Sequence, residues 1–126
     1  MTNYWMAVGS PANWQEAFEK GNIWGLRPRQ KHRWEKLSED DILLFYATEP
    51  VAGIIGYGSV QTKFRQAQPF WAEEIKHGEV IWPLRFEFNV DYCLPPSEWE
   101  TRRITSDTLK RNVGVGFQSI EPQLAQ

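Results

Sequence analysis

Histidine and cysteine are scarce in this 126-residue chain: two of the first and one of the second. His32, His77 and Cys93 have no ligand-like spacing, so they make no zinc site. A single cysteine also rules out an intrachain disulfide framework. It fits a reducing cytosol, and the expected location is therefore cytoplasmic. Long apolar runs are missing as well. No stretch approaches the twenty residues of a membrane span, and no basic leader precedes an apolar run, so no membrane association is expected. The net charge of −2 argues against a broadly cationic nucleic-acid coat but leaves room for local patches. No repeat, low-complexity tract or linker interrupts the chain, which reads as a single domain over residues 1–126.

Tryptophan is what the chain has in excess, with seven residues. The segment Gly21-Asn22-Ile23-Trp24-Gly25 is the natural centre of the sequence. Gly21 is placed to end a preceding amphipathic helix in the left-handed conformation. Beside Gly25, the Trp24 ring face is open to approach, and the backbone can come close to a flat ligand.

Around that segment the chain alternates regularly. Tyr4 to Val8 predicts a central strand. Ser10 and Pro11 predict the N-cap and first residue of a helix running to about Lys20, with Trp14, Ala17 and Phe18 on its buried face. Ile42 to Tyr46 reads as a buried strand, and Gly53 to Phe64 as a long one with Gly56, Gly58 and Val60 on one face. Two glycines on that face imply strong curvature or close approach of something to the backbone. Gln66 to Gly78 reads as a loop with one helical turn, carrying Phe70-Trp71. Val80 to Val90 alternates as a strand, with Pro83 implying an edge or a bulge. Leu94 to Trp99 reads as a turn opening a helix, Thr105 to Lys110 as a short helix, and Gly114 to Ile120 as loop or strand.

The inventory for catalysis is poor. A lone Cys at the end of a strand pattern is a packing residue far more often than a nucleophile. Glu73-Glu74 and Glu39-Asp40-Asp41 are runs of neighbours and read as surface. Gly53-x-x-Gly56 and Gly114-x-Gly116 lack the lysine and strand-to-helix context of a phosphate loop. No cofactor motif is present. The aromatic set offers more: Trp24, Trp71 and Trp82 come from separate segments, and rings converging from separate segments form a box for a flat or methylated group. The segment Arg27-Pro28-Arg29-Gln30-Lys31-His32-Arg33 is the one dense basic stretch. It reads either as a solvated face or as a phosphate-contacting rim, through Arg27, Arg29, Lys31 and Arg33.

The order of these features resembles the EVE domain, a relative of the YTH domain in the PUA-like superfamily. The resemblance is carried by the Tyr4-Trp5 strand, the Ser10-Pro11 turn, Asn22-Ile23-Trp24-Gly25, Asp41-Ile42-Leu43-Leu44-Phe45-Tyr46, Gly53-Ile54-Ile55-Gly56-Tyr57-Gly58 and Trp82-Pro83-Leu84-Arg85-Phe86. It spans most of residues 4–120. It implies an α+β fold, a small, strongly curved mixed β-barrel of about five or six strands with helices packed outside. YTH domains bind N6-methyladenine in RNA through an aromatic cage, and EVE-type domains are linked to modified bases such as 5-methylcytosine in DNA. By position, the resemblance places cage walls on Trp24 and Trp71, with Trp82 as a third. It places base-edge contacts on Ser10, Asn13, Asn22 and the backbone of Gly25. Gly9-Ser10 stands where relatives often carry Lys-Ser, and the Trp71 loop departs from the YTH pattern.

The reading that follows is a non-catalytic module for a methylated adenine or cytosine in RNA or DNA. Two alternatives stand beside it: an enzyme or enzyme subunit acting on nucleic acid through the same pocket, and a Trp-rich module that docks a protein partner.

Overall fold

The computed structural model describes residues 3–65, 68–102, 104–105 and 117–120. Strand β1 (Tyr4–Gly9) passes through Ser10 into helix α1 (Pro11–Glu19), where the Ser10 hydroxyl accepts from the backbone N–H of Asn13 at 3.1 Å. Gly21, at φ 98°, and Asn22, at φ 60°, turn the chain out of the helix. The Asn22 N–H donates to the Ala17 carbonyl at 2.8 Å, as in a Schellman motif. Trp24 then lies in a strand, β2 (Ile23–Leu26). After a 3₁₀ turn (Pro28–Gln30), the basic segment continues as helix α2 (Lys31–Lys36).

Strands β3 (Ile42–Ala47) and β4 (Gly53–Arg65) follow, then helix α3 (Ala72–His77), strand β5 (Leu84–Cys93), a 3₁₀ turn (Pro96–Glu98) and helix α4 (Trp99–Arg102). Short strands β6 (Ile104–Thr105) and β7 (Phe117–Ile120) complete the described chain. All seven strands join one sheet in the order β2-β5-β4-β3-β1-β7, with β6 on β4. The β1–β3 pair is parallel and the others are antiparallel, so this is a mixed, strongly curved sheet in an α+β fold.

The curvature has a local cause. Register shifts interrupt β4 against β5 between Tyr57 and Gly58 and again between Val60 and Thr62, and β3 against β4 between Phe45 and Tyr46. Bulges of this kind bend a strand and increase its twist. Gly56 and Gly58 permit them, because a side chain at either position would run into the β5 backbone, at Tyr92 and Asn89 respectively.

The apolar runs of β1 and β3 are explained by burial on both faces. Trp5, Ala7, Leu43 and Phe45 enter the main core with Trp14, Phe88 and Phe117, while Met6, Leu44, Tyr46 and Ile54 form a second cluster behind them. Three expectations change. The strand read from Val80 begins only at Leu84, so Pro83 precedes it and β5 is flanked by β2 and β4. Asp41 is buried, not on the surface, because it accepts from the N–H of Asn3 and Ser38 and from the Trp5 indole. Glu74 is also buried, as described below. The helix expected over Thr105 to Lys110 and the segment Gly114 to Gly116 lie outside the described residues, apart from Thr105 in β6.

Candidate functional site

Strand β2 sits at the end of the sheet and pairs with β5 on one side. Consecutive residues of a strand face opposite ways, so Trp24 and Gly25 address different faces. Trp24 points inward and stacks on Trp14, with ring centroids 3.9 Å apart and planes 15° from parallel. On the other face, a Cβ added to Gly25 would stand 2.6 Å from the tip of the Trp71 ring and 2.7 Å from the Trp82 Cβ. Two indoles therefore flank the β2 edge, and glycine at 25 makes the room for one of them. Gly9 does the same for the other, since any Cβ there would overlap the Trp24 ring. That is the physical reason no longer side chain stands at Gly9.

The ladder register adds a second feature. The Phe88 N–H donates to the Asn22 carbonyl at 3.0 Å, and antiparallel ladders alternate between hydrogen-bonded and non-bonded pairs. Trp24 is thus bonded to Phe86, whereas the Gly25–Arg85 pair is not. The N–H and C=O of Gly25 point away from β5, toward the free edge. A cavity of about 430 Å³ opens there, within the range of small-molecule sites. Trp24, Gly25, Trp71, Trp82, Phe117, Asn13, Glu16, Arg27, Arg29, Gln30 and Glu73 contribute to its lining.

The seven tryptophans divide by the fate of their indole N–H. Trp5 donates to the Asp41 carboxylate at 3.0 Å, Trp14 to the Tyr46 carbonyl at 2.8 Å, Trp34 to the Arg85 carbonyl at 3.1 Å and Trp99 to the Leu94 carbonyl at 2.7 Å. Among the described residues, Trp24, Trp71 and Trp82 have no such acceptor, and these three line the cavity. Buried indoles ordinarily find a partner. At 8% and 6% exposure, Trp24 and Trp71 are too enclosed to form a flat docking patch.

One carboxylate holds two of the walls in place. Glu74, fully buried at the third position of α3, accepts with Oε1 from the backbone N–H groups of Phe70 (2.9 Å) and Trp71 (3.3 Å). The bond to Trp71 is the reaching-back half of a capping box. Its Oε2 accepts from Ile81 (2.9 Å) and Trp82 (3.0 Å). The Arg85 guanidinium completes the set, donating to Oε1 at 2.8 Å and lying under the Trp71 ring at 4.6 Å from its centroid. Burial opposes the Glu74 charge, yet the N–H groups of Trp82, Phe70 and Ile81, together with Arg85, hold the carboxyl below its usual range. Burial also pulls the Arg85 pKa down, with Glu74 opposing that pull. On the cavity's far side, Glu16 of α1 accepts from Ala72 N at 3.1 Å, and Lys20 donates to the Phe70 carbonyl at 2.8 Å.

The structure brings together Trp24, Trp71, Trp82, Asn13, Gly25, Arg27 and Arg29. It places four others elsewhere. The Ser10 hydroxyl caps α1, and Asn22 occupies the turn before β2; neither lines the cavity. Lys31 and Arg33 lie on α2 beyond the cavity wall, with Arg33 donating to Gln30 at 2.9 Å. Sequence reasoning missed Glu74 and Arg85. The signal for Glu74 was its place three residues after Trp71, the capping-box spacing; Arg85 gave none, standing on the polar side of an alternating strand.

The model of the EVE domain family matches residues 3–116, and the chain belongs to that family. No functionally curated protein matches its sequence. An ASCH protein from Zymomonas mobilis is 14% identical with a TM-score of 0.64, over 98% of this chain and 91% of that one. The Mmi1 YTH domain, solved in complex with RNA, is 12% identical with a TM-score of 0.62, over 98% of this chain and 73% of that one. A hypothetical protein from Leishmania major is 18% identical with a TM-score of 0.57, over 99% of this chain and 90% of that one. At these identities the likeness is one of fold.

Proposed function

We propose that this EVE domain is a nucleic-acid-binding module that holds a modified nucleobase, a methylated adenine or cytosine, at the free edge of β2. The base lies between the Trp24 and Trp71 sides of the cavity, with Trp82 as a third wall. The Asn13 side chain and the Gly25 main chain meet its polar edge, where an outward N–H and C=O offer one donor and one acceptor. Arg27 and Arg29 meet the adjoining phosphates. In this reading the domain contributes no chemistry of its own, and the Cys93 thiol is pushed up to about 11 by burial.

One observation carries the reading. Among the described residues, the three indoles without an internal hydrogen-bond acceptor are the three that line one cavity. Family membership and the fold shared with an RNA-bound YTH domain support a nucleic-acid ligand.

Titration of tryptophan fluorescence with N6-methyladenosine, 5-methyl-deoxycytidine and their unmodified counterparts tests it. One methylated nucleoside should quench the parent protein. Trp71→Ala should weaken that binding by about 5- to 150-fold, the equivalent of about 1–3 kcal/mol of base–ring stacking. No response from any nucleoside, or equal binding by the folded variant, would remove the cage reading.

A further inference from the structure

We infer that the ligand strand leaves the cavity in one direction only, across α2 and the end of β4, so that the domain reads nucleotides on one side of the modified base. This inference rests on the base-binding reading above and extends it to the path of the backbone.

The rim of the cavity is electrically lopsided. Arg27 and Arg29 line it where the chain leaves β2, and the Arg27 guanidinium lies 5.9 Å from the centre of the Trp82 ring. Glu73 and Glu16, the latter paired with Lys20 at 3.3 Å, line it where α1 meets α3. A polyanion is therefore drawn over the first lip, and at the second it meets the charge of Glu73, unpaired among the described residues.

Beyond the basic lip the positive charge continues, and part of it comes from a distant segment. Lys31, Arg33 and Lys36 stand on α2, with Glu35 the single carboxylate in that helix. The end of β4 brings Lys63 and Arg65 to the same place. Lys63 Nζ lies 5.1 Å from the centre of the Trp34 ring, and the Arg65 guanidinium lies 5.2 Å from it. Lys63 also donates to the carbonyls of Trp34 and Glu35 at 3.0 and 3.1 Å, which ties it to the C-terminal end of α2. Among the described residues the ion pairs are Lys20–Glu16 and Arg85–Glu74. None of the seven cations from Arg27 to Arg65 has a carboxylate partner within that set, and six of the seven are exposed.

The sheet sets the spacing. Leu26 of β2 pairs with Leu84, and Leu84 pairs with Arg65, so Arg65 lies two strands from the cavity. At a strand spacing of ~4.8 Å that is about 10 Å. About three nucleotides bridge such a span at the ~3.4 Å rise of a stacked strand. The same register brings Trp24 level with Phe86 and Lys63. A nucleotide seated at β2 thus has its neighbours over α2 on one side and over the acidic lip on the other.

The test uses RNA pentamers carrying one N6-methyladenosine at the first, central or last position, and DNA pentamers carrying 5-methyl-deoxycytidine likewise. Each is compared with the free nucleoside. The expected result is asymmetry: flanking nucleotides on one side raise affinity, and those on the other leave it at the nucleoside level. For the tight-binding pentamer, replacing Lys36 and Arg65 together (Lys36→Gln, Arg65→Gln) should lower the magnitude of the salt slope by about 1.4, while nucleoside binding stays unchanged. Lys63 is left intact because it caps α2. Equal gain from both sides, no gain over the nucleoside, or an unchanged salt slope in the double variant would overturn the one-sided path with the cavity reading intact. Failure of every nucleoside and every pentamer to bind would overturn both.

Discussion

Glu74 and Arg85 carry consequences that can be measured without any ligand. Four backbone N–H groups and one guanidinium converge on a carboxylate with no exposure, so removing its charge leaves the buried Arg85 without a counter-ion, held by the Trp82 and Gln68 carbonyls. Breaking such a pair costs about 3–5 kcal/mol, a large part of the ~5–15 kcal/mol that keeps a domain folded. Glu74→Gln should therefore lower stability by about that amount in chemical denaturation at pH 7. The pH dependence has a definite sign. The folded pKa lies below the ordinary 4.5, so the contribution is complete above that value and is lost as pH falls through the lowered one. The gap between parent and Glu74→Gln should narrow below pH 4.5, and a gap that stays constant to pH 3 would contradict the assignment. Cys93 gives a second measurement. With its thiol raised to about 11 by burial, it should react with a disulfide reagent at pH 8 on the order of a hundredfold more slowly than in the unfolded chain.

At the scale of elements, the site depends on an edge strand with a glycine where it is needed. Trp24 and Gly25 face opposite ways, and only a residue without a side chain leaves the Trp71 ring its place. Gly25→Ala would set a methyl 2.6 Å from that ring and 2.7 Å from the Trp82 Cβ, so the segments holding both must shift. Overpacking of this kind costs about 1–3 kcal/mol. The variant should remain folded by circular dichroism and lose nucleoside binding. A variant that binds as the parent does would show that Trp71 is not held against β2. The elements themselves were largely legible. Ser10, Pro11 and Gly21 announce α1 because capping is a local interaction, and the apolar run from Ile42 to Tyr46 announces β3 because both its faces are buried. α2 was less legible, because its residues read as a charged surface run and the helix packs by Trp34 against a strand 51 residues away.

For the whole molecule, a net charge of −2 conceals a basic face assembled from two segments. Local sequence determined the central strands, the first helix and the surplus of tryptophan, since periodicity, caps and composition are properties of neighbours along the chain, whereas the α+β class came from the family resemblance. Tertiary structure alone decided which tryptophans face a cavity. An indole is satisfied or left open according to the carbonyl or carboxylate that a distant strand brings to it, as Asp41 does for Trp5 across 36 positions. The same holds for Glu74. Beside Glu73 it reads as surface, and it becomes the anchor of two cavity walls only when β5 brings Arg85 beneath it and excludes water. Burial of a charge depends on partners remote in sequence, and those partners are set by the order of strands in the sheet.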